Sequence, residues 1–199
     1  MKTERACNCT GFSLVELLIV LALLIILTVL STGRLNKSAR QRELAGCEKN
    51  LQKIYLVLSI YRSDNDAYPF SADASTSEIP LSALVPKCTT DTSVFICPGS
   101  HDPPLPEGER FDQRRISYAY YMGWTTHDDP NQIIVTDWQR DTSAKVKGQL
   151  VFSPDGAKPG NNHSAEGGNL LSCGGEISRS HPRASRALPL PPPVRLLNP

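Results

Sequence analysis

A single carboxylate, Glu16, lies inside the most apolar run of the sequence. Every residue from 17 to 27 is apolar, and the wider segment 12–30 contains only three polar side chains. A charged side chain at the centre of a bilayer costs about 2.5–3.5 kcal/mol, so this carboxylate requires a partner of opposite charge. If the chain is cut between Gly11 and Phe12, the new amine lies one helical turn from Glu16. Pairing with the amine of its own or a neighbouring helix predicts a role for Glu16 in assembly.

Cysteines form a second group with chemical potential. Of the six cysteines, four follow residue 12. In an oxidising compartment these four permit up to two bridges in three connectivities. Cys88 and Cys97 are the closest pair in sequence, and a disulfide between them would close a short loop. Their spacing alone is a weak metal signal, and Cys47 also fits a buried position on a helix.

Polar side chains that could form a catalytic triad are present but scattered. They are His127, Asp128, Asp129, Asp137 and His163, together with several serines. No nucleophile elbow, zinc-ligand spacing or phosphate-binding loop organises them, so the sequence predicts no enzyme. The chain has 199 residues, 40% of them hydrophobic, and a net charge of +1, and this balance indicates no nucleic-acid partner.

The apolar run is long enough to nearly span a membrane as a helix. A helix rises about 1.5 Å per residue and the hydrocarbon core is about 30 Å thick. A secretory signal peptide has a shorter apolar core of roughly 7–15 residues, followed by small residues at its cleavage site. We therefore predict a transmembrane helix over 12–31.

A helical pattern continues beyond this span, over 32–66. Apolar residues recur at alternating spacings of three and four and draw a stripe on one helix face. They are Leu44, Cys47, Leu51, Ile54, Leu58 and Tyr61. The helix should end within 63–66, because Pro69 disfavours helical geometry just before it.

The remainder reads as short strands joined by irregular loops. The predicted strands are 93–97, 116–122, 132–138, 149–152, 169–173 and 176–178. Strands that follow one long helix predict an α+β domain, with an antiparallel sheet lying on the apolar stripe. The Pro-rich segment 181–199 is predicted to be a flexible tail.

The stretch Gly11-Phe12-Ser13-Leu14-Val15-Glu16 and its apolar run resemble the N-terminal segment of type IV pilins and type II secretion pseudopilins. In that family a prepilin peptidase cuts after the glycine and methylates the new amine, and the glutamate guides docking into a filament. The resemblance implies cleavage after Gly11, methylation of Phe12 and an assembly role for Glu16. It also implies other pilin subunits and an inner-membrane assembly platform as partners.

The implied protein is a pseudopilin of a type II secretion-like system, in a short periplasmic filament that drives protein export. A type IV pilin for adhesion, motility or DNA uptake is the alternative within the family, and a signal-anchored periplasmic enzyme is the alternative outside it. The implied location is the inner membrane, with a cytoplasmic N-terminus and a periplasmic domain. The predicted parts are a cleaved leader over 1–11, a transmembrane helix over 12–31, an amphipathic helix over 32–66, a pilin-like α+β domain over 67–180 and the tail over 181–199.

A second resemblance lies near the C-terminus, where the segment from His163 to Ile177 is similar to a His-x-x-x-Gly-Gly-Asn-Val-Leu-Phe-x-Asp-Gly-His-Val box of bacterial pseudopilin-like proteins. The positions that depart from the box are Ser172, Gly174 and Glu176. By analogy with the calcium loop of major pseudopilins, the candidate calcium ligands are Asp155, Asn161 and Asn162. No other cofactor is expected.

Overall fold

A computed structural model describes residues 13–199, with side chains described for 13–29 and 38–199. The chain divides into two compact units, Met1–Ala39 and Arg40–Pro199. The predicted cleavage and methylation positions, Gly11 and Phe12, lie outside the described residues.

One long helix, α1, extends over Leu14–Asn65. Its end confirms the predicted boundary, since the next residue, Asp66, takes a positive φ of 52° and Pro69 follows shortly after. The predicted apolar stripe is also confirmed. Its first five residues are buried in the core of the second unit, and Tyr61 packs against that core at partial exposure. The local apolar periodicity therefore correctly predicted both the end of this part of the helix and the face that it buries.

Among the described residues, no helix has the combined length and hydropathy of a membrane span.

The second unit contains a five-stranded antiparallel sheet in the order β4-β3-β2-β1-β5. The strands are β1 (Tyr118–Met122), β2 (Ile133–Asp137), β3 (Gly168–Ser172), β4 (Ile177–Ser180) and β5 (Arg195–Leu197). Every residue of the three central strands is buried, because the helix stripe and the loops cover the sheet. A long helix with a small antiparallel sheet is the predicted α+β, pilin-like arrangement.

Two predicted strands are wrong. Residues 93–97 overlap a 3₁₀ helix, Thr92–Phe95, in which the Ser93 hydroxyl donates to Asp91 and the Ile96 N–H donates back to Ser93 O. Such local bonds offer the backbone an alternative to strand pairing. Residues 149–152 form only an isolated bridge, between Leu150 and Arg183.

The prediction of a flexible tail over 181–199 is also wrong. β5 pairs with β1 and extends the sheet, and Leu196 and Leu197 are buried. Asn198 fastens the segment further, because its side chain donates to Gln139 O at 2.9 Å and its carbonyl accepts from Ser77 N at 3.1 Å. The prolines restrict the connecting backbone, and the aliphatic residues after them supply the strand.

Candidate functional site

Four side chains from distant parts of the sequence meet in the interior of the second unit, and we call them the buried cluster. Cys47 belongs to α1, Cys97 follows the 3₁₀ helix, Asp137 ends β2, and His163 lies in the loop before β3. None of the four is more than 2% exposed. Their ligand atoms all lie within 4.8 Å of one another.

The contacts within the buried cluster converge on one small volume. Cys47 Sγ lies 3.0 Å from Asp137 Oδ1. His163 Nε2 lies 3.3 Å from Cys97 Sγ and 3.4 Å from Asp137 Oδ2. A sulfur and a carboxylate oxygen therefore approach the same ring nitrogen.

A surrounding layer of donors fixes the carboxylate and one sulfur. Asn162 donates its side-chain amide to Asp137 Oδ1 at 3.0 Å, and the backbone N–H of Asn169 donates to Asp137 Oδ2 at 2.7 Å. The hydroxyl of Tyr118 donates to Cys47 Sγ at 3.4 Å. Both carboxylate oxygens thus have a donor from outside the buried cluster. These hydrogen bonds fix the orientation of Asp137 without a ligand.

Burial and charge act against each other in the buried cluster. Burial alone disfavours the charged forms of Asp137 and His163, but their mutual attraction outweighs it. The pKa of Asp137 is consequently lowered, and the pKa of His163 is raised to about 10. Burial raises the pKa of both the Cys47 and the Cys97 thiol.

At the other end of the chain, Glu16 lies in the first turn of α1 and is exposed. It is the one charged residue between positions 14 and 29. None of the ion pairs formed by the described residues includes it. Its carboxylate is therefore available to a group outside this part of the helix.

Apolar side chains cover the same stretch of α1 on all sides. The large hydrophobic residues from Leu14 to Val29 are each at least 42% exposed. Thr28 returns its hydroxyl to Ile25 O at 2.8 Å, so this polar group is satisfied within the helix. Contiguous exposed apolar surface of this kind marks contact with protein or lipid.

Residues 7–32 match the family model of the prokaryotic N-terminal methylation motif. The match confirms the resemblance to the type IV pilin and pseudopilin family at the segment that carries Gly11, Phe12 and Glu16. It supports a type IV pilin-like or pseudopilin protein, anchored in a membrane, cut by a prepilin peptidase and assembled with other pilin subunits. No curated protein and no solved structure matches the chain.

The side chains of the three candidate calcium ligands each form a hydrogen bond to a group outside the trio. Asp155 accepts from the hydroxyl of Ser153 and the N–H of Ala157, and Asn161 donates to Gly156 O. Asn162 is buried and gives its amide to Asp137 of the buried cluster. Calcium binding by these three residues remains an expectation from the family.

The two residues of the possible disulfide, Cys88 and Cys97, are free cysteines in the structure. Cys97 is buried and contacts His163, whereas Cys88 is half-buried. The sequence suggested Asp137 and His163 only among scattered triad candidates and the cysteines only as disulfide partners, so it did not predict that the four residues meet. Cys97 and His163 are 66 positions apart, and Cys47 and Asp137 are 90 apart, so no short motif joins them.

Proposed function

We propose that this chain is a pseudopilin subunit of a type II secretion-like system, which assembles through its N-terminal helix into a short periplasmic filament. One observation carries the proposal. Glu16 is the single charged side chain between positions 14 and 29, where the apolar side chains are exposed, and it lies with Gly11 and Phe12 inside the segment that matches the methylation motif.

The physics of the segment supports assembly in two stages. Before assembly, the exposed side chains of 14–29 require an apolar surrounding, and a bilayer supplies it to a helix spanning 12–31. After assembly, neighbouring helices replace lipid around these side chains. Transfer between two apolar surroundings adds little hydrophobic driving force, so a specific polar contact decides which register the helices adopt.

That contact is the pairing of Glu16 with the terminal amine of Phe12 in a neighbouring subunit. A carboxylate and an ammonium are each unfavourable alone in an apolar bundle, and pairing offsets part of both penalties. Removing one partner leaves the other buried and unpaired, which is the costly case. Glu16 is therefore expected to govern recruitment into the filament and to have little effect on membrane insertion.

The test compares Glu16→Val with wild type in cells that express the assembly machinery. Equal amounts of processed protein in the membrane, with filament yield reduced at least about tenfold, are expected from the loss of one buried charge pair. Glu107→Val makes the same substitution at an exposed loop position and serves as the matched control. Wild-type filament yield from Glu16→Val would remove the assembly role.

Secretion and pilus roles separate in a deletion strain. A pseudopilin predicts loss of an exported protein from the medium, restored by the wild-type chain and not by Glu16→Val. Normal export with loss of surface adhesion, motility or DNA uptake would instead assign the chain to the type IV pilins.

A further inference from the structure

We propose that the buried cluster is a structural Zn²⁺ site of the second unit. Its ligands are Cys47, Cys97, Asp137 and His163. The site is independent of the proposed function, since it uses no residue of the N-terminal segment.

Three contacts between the ligands are close to the separations of a small tetrahedral site. Zinc binds sulfur at about 2.3 Å and nitrogen or oxygen at about 2.0–2.2 Å, which places neighbouring ligands of a tetrahedron about 3.3–3.8 Å apart. The observed contacts are 3.0 Å between Cys47 and Asp137, 3.3 Å between Cys97 and His163, and 3.4 Å between His163 and Asp137. The ligand atoms of the four residues all lie within 4.8 Å of one another, so shifts of up to about 1 Å would bring one atom from each residue to a shared ion.

The donor set selects zinc over calcium. Two thiolates and an imidazole are soft or borderline ligands, and zinc is commonly bound by this combination with four-coordinate geometry. Calcium takes six to eight oxygen ligands, and the buried cluster offers one carboxylate. Four protein ligands also close the coordination sphere, which is the property of structural rather than catalytic zinc sites.

A cysteine protease-like triad is the first competing interpretation of the same residues. In a triad the nucleophile and the carboxylate contact different nitrogens of the imidazole, so that the histidine can relay a proton between them. Here Cys97 and Asp137 both approach Nε2 of His163. Burial to 2% exposure or less also leaves no access for a substrate. The arrangement is convergent, as around an ion.

A disulfide between Cys47 and Cys97 is the second competitor. A disulfide would explain why the two sulfurs lie close together. It would not explain why Asp137 and His163 also contact them. The two thiols interact with each other, and each sulfur also contacts an oxygen or nitrogen of the buried cluster at 3.0–3.3 Å. A single ion explains all four placements together.

The surrounding hydrogen-bond donors would offset part of the net negative charge of the zinc and its ligands. Two thiolates and one carboxylate exceed the charge of Zn²⁺ by one, and donors to the ligands offset such an excess. Tyr118 donates to the sulfur of Cys47, and Asn162 and Asn169 donate to the two oxygens of Asp137. Outer partners of this kind orient metal ligands and keep them in place.

Zinc in this position would connect the elements that define the fold. Cys47 fixes α1, Asp137 fixes the end of β2, and His163 fixes the loop that leads into β3. Because a folded chain assembles the site, the binding free energy adds to the free energy of unfolding of this unit. The attachment of the helix to its domain would then depend on the metal.

The experiment measures zinc in the full-length protein, purified in detergent without chelators, by inductively coupled plasma mass spectrometry. About one zinc per chain is expected for wild type and for the matched control Cys88→Ser, and less than about one tenth for Cys97→Ser and His163→Gln. In a parallel sample, Co²⁺ exchanged into wild type should give the visible bands of tetrahedral cobalt and a thiolate-to-cobalt charge-transfer band. This spectrum supports the site even where a ligand variant fails to fold.

Three results would overturn the proposal. Wild-type protein that neither carries zinc nor takes up zinc or cobalt has no such site. Retention of one zinc per chain by both Cys97→Ser and His163→Gln places the metal elsewhere. Recovery of a Cys47–Cys97 disulfide by non-reducing peptide mapping assigns the two sulfurs to a covalent bridge.

Discussion

Asp137 Oδ2 and His163 Nε2 lie 3.4 Å apart, with each side chain only 1% exposed. Charged side chains buried to this extent are stable only when they are paired and hydrogen-bonded. Removal of one partner typically costs about 3–5 kcal/mol. The pair joins the end of β2 to the loop before β3. Hydrogen bonds from neighbouring residues to this pair therefore help to hold the two elements in place. One neighbour outside the buried cluster, Asn162, donates its side-chain amide to the carboxylate of Asp137 at 3.0 Å.

Asn162→Ala should weaken zinc binding by about 10–100-fold, because loss of an outer hydrogen bond frees Asp137 to reorient. The adjacent Asn161→Ala is the matched control, since its amide donates to Gly156 O and not to the buried cluster. A competition titration with a chromophoric chelator measures both. Equal zinc affinity in the two variants would contradict the assignment, and a calcium affinity lowered in both would support the calcium loop instead.

Helix α1 offers a second matched pair. Leu51 is fully buried on the predicted stripe, whereas Leu56 is 61% exposed on the same helix. Leu51→Ala should lower the free energy of unfolding by about 2–5 kcal/mol through lost burial and a residual cavity. Leu56→Ala should change it by no more than about 0.5 kcal/mol. Chemical denaturation of the detergent-purified protein checks both, and similar effects of the two substitutions would mean that the stripe does not face the core.

Leu51 and the Asp137–His163 pair show which features the sequence could predict and which it could not. Leu51 was placed correctly because helical periodicity is a local property, readable within a few turns. The grouping of Asp137 with His163 depends on strand order and on the path of a loop, and neither leaves a periodic trace. The single signal available was His163 as the first residue of the C-terminal box, which marks the position but gives no partner.

The C-terminal segment was predicted wrongly for a different reason. Its prolines indicated a flexible tail, yet β5 pairs with β1 and buries Leu197 at 6% exposure. Composition describes a segment as a whole, and three residues after the last proline of the run were enough to form an edge strand. A short strand of this kind is specified by the sheet it joins and hardly by its own sequence.

Leu197→Asp tests whether β5 contributes to the stability of the domain. A carboxylate at this buried position loses the packing of the leucine, worth about 2–5 kcal/mol, and adds the cost of an unpaired charge. Ser185→Asp introduces the same charge at an exposed position of the same C-terminal region. A lower melting temperature is expected for Leu197→Asp alone. If both variants melt with the wild type, the segment is not part of the folded sheet.

Processing at the N-terminus is tested by mass spectrometry. Wild-type protein from cells with a prepilin peptidase should begin with N-methylated Phe12. A bulky residue in place of Gly11 should leave full-length precursor in the membrane, because the peptidase must accommodate a small residue at the cut. The matched change Gly33→Leu lies beyond the cut and should be processed normally. An unprocessed Met1 in wild-type protein would contradict the cleavage site.

Thiol labelling distinguishes the three possible states of the cysteines. If zinc holds Cys47 and Cys97, a maleimide reagent should modify Cys88 in the folded protein, since Cys88 is half-buried and lies outside the buried cluster. Burial raises the pKa of the Cys88 thiol, so its labelling should be slow but complete. Cys173 is buried at 6% exposure and should react only after unfolding.

The order of addition then separates zinc from a disulfide. Under zinc binding, a strong chelator added without reductant should lower the stability of the unit and so allow labelling of Cys47 and Cys97, which burial and the ion together protect. A Cys88–Cys97 bridge predicts that neither of those two residues reacts until reductant is added, while Cys47 stays free. A Cys47–Cys97 bridge predicts that chelator has no effect and that reductant exposes this pair. Peptide mapping of the labelled residues reads each pattern directly, and only release by chelator alone agrees with a metal that ties helix α1 to the sheet.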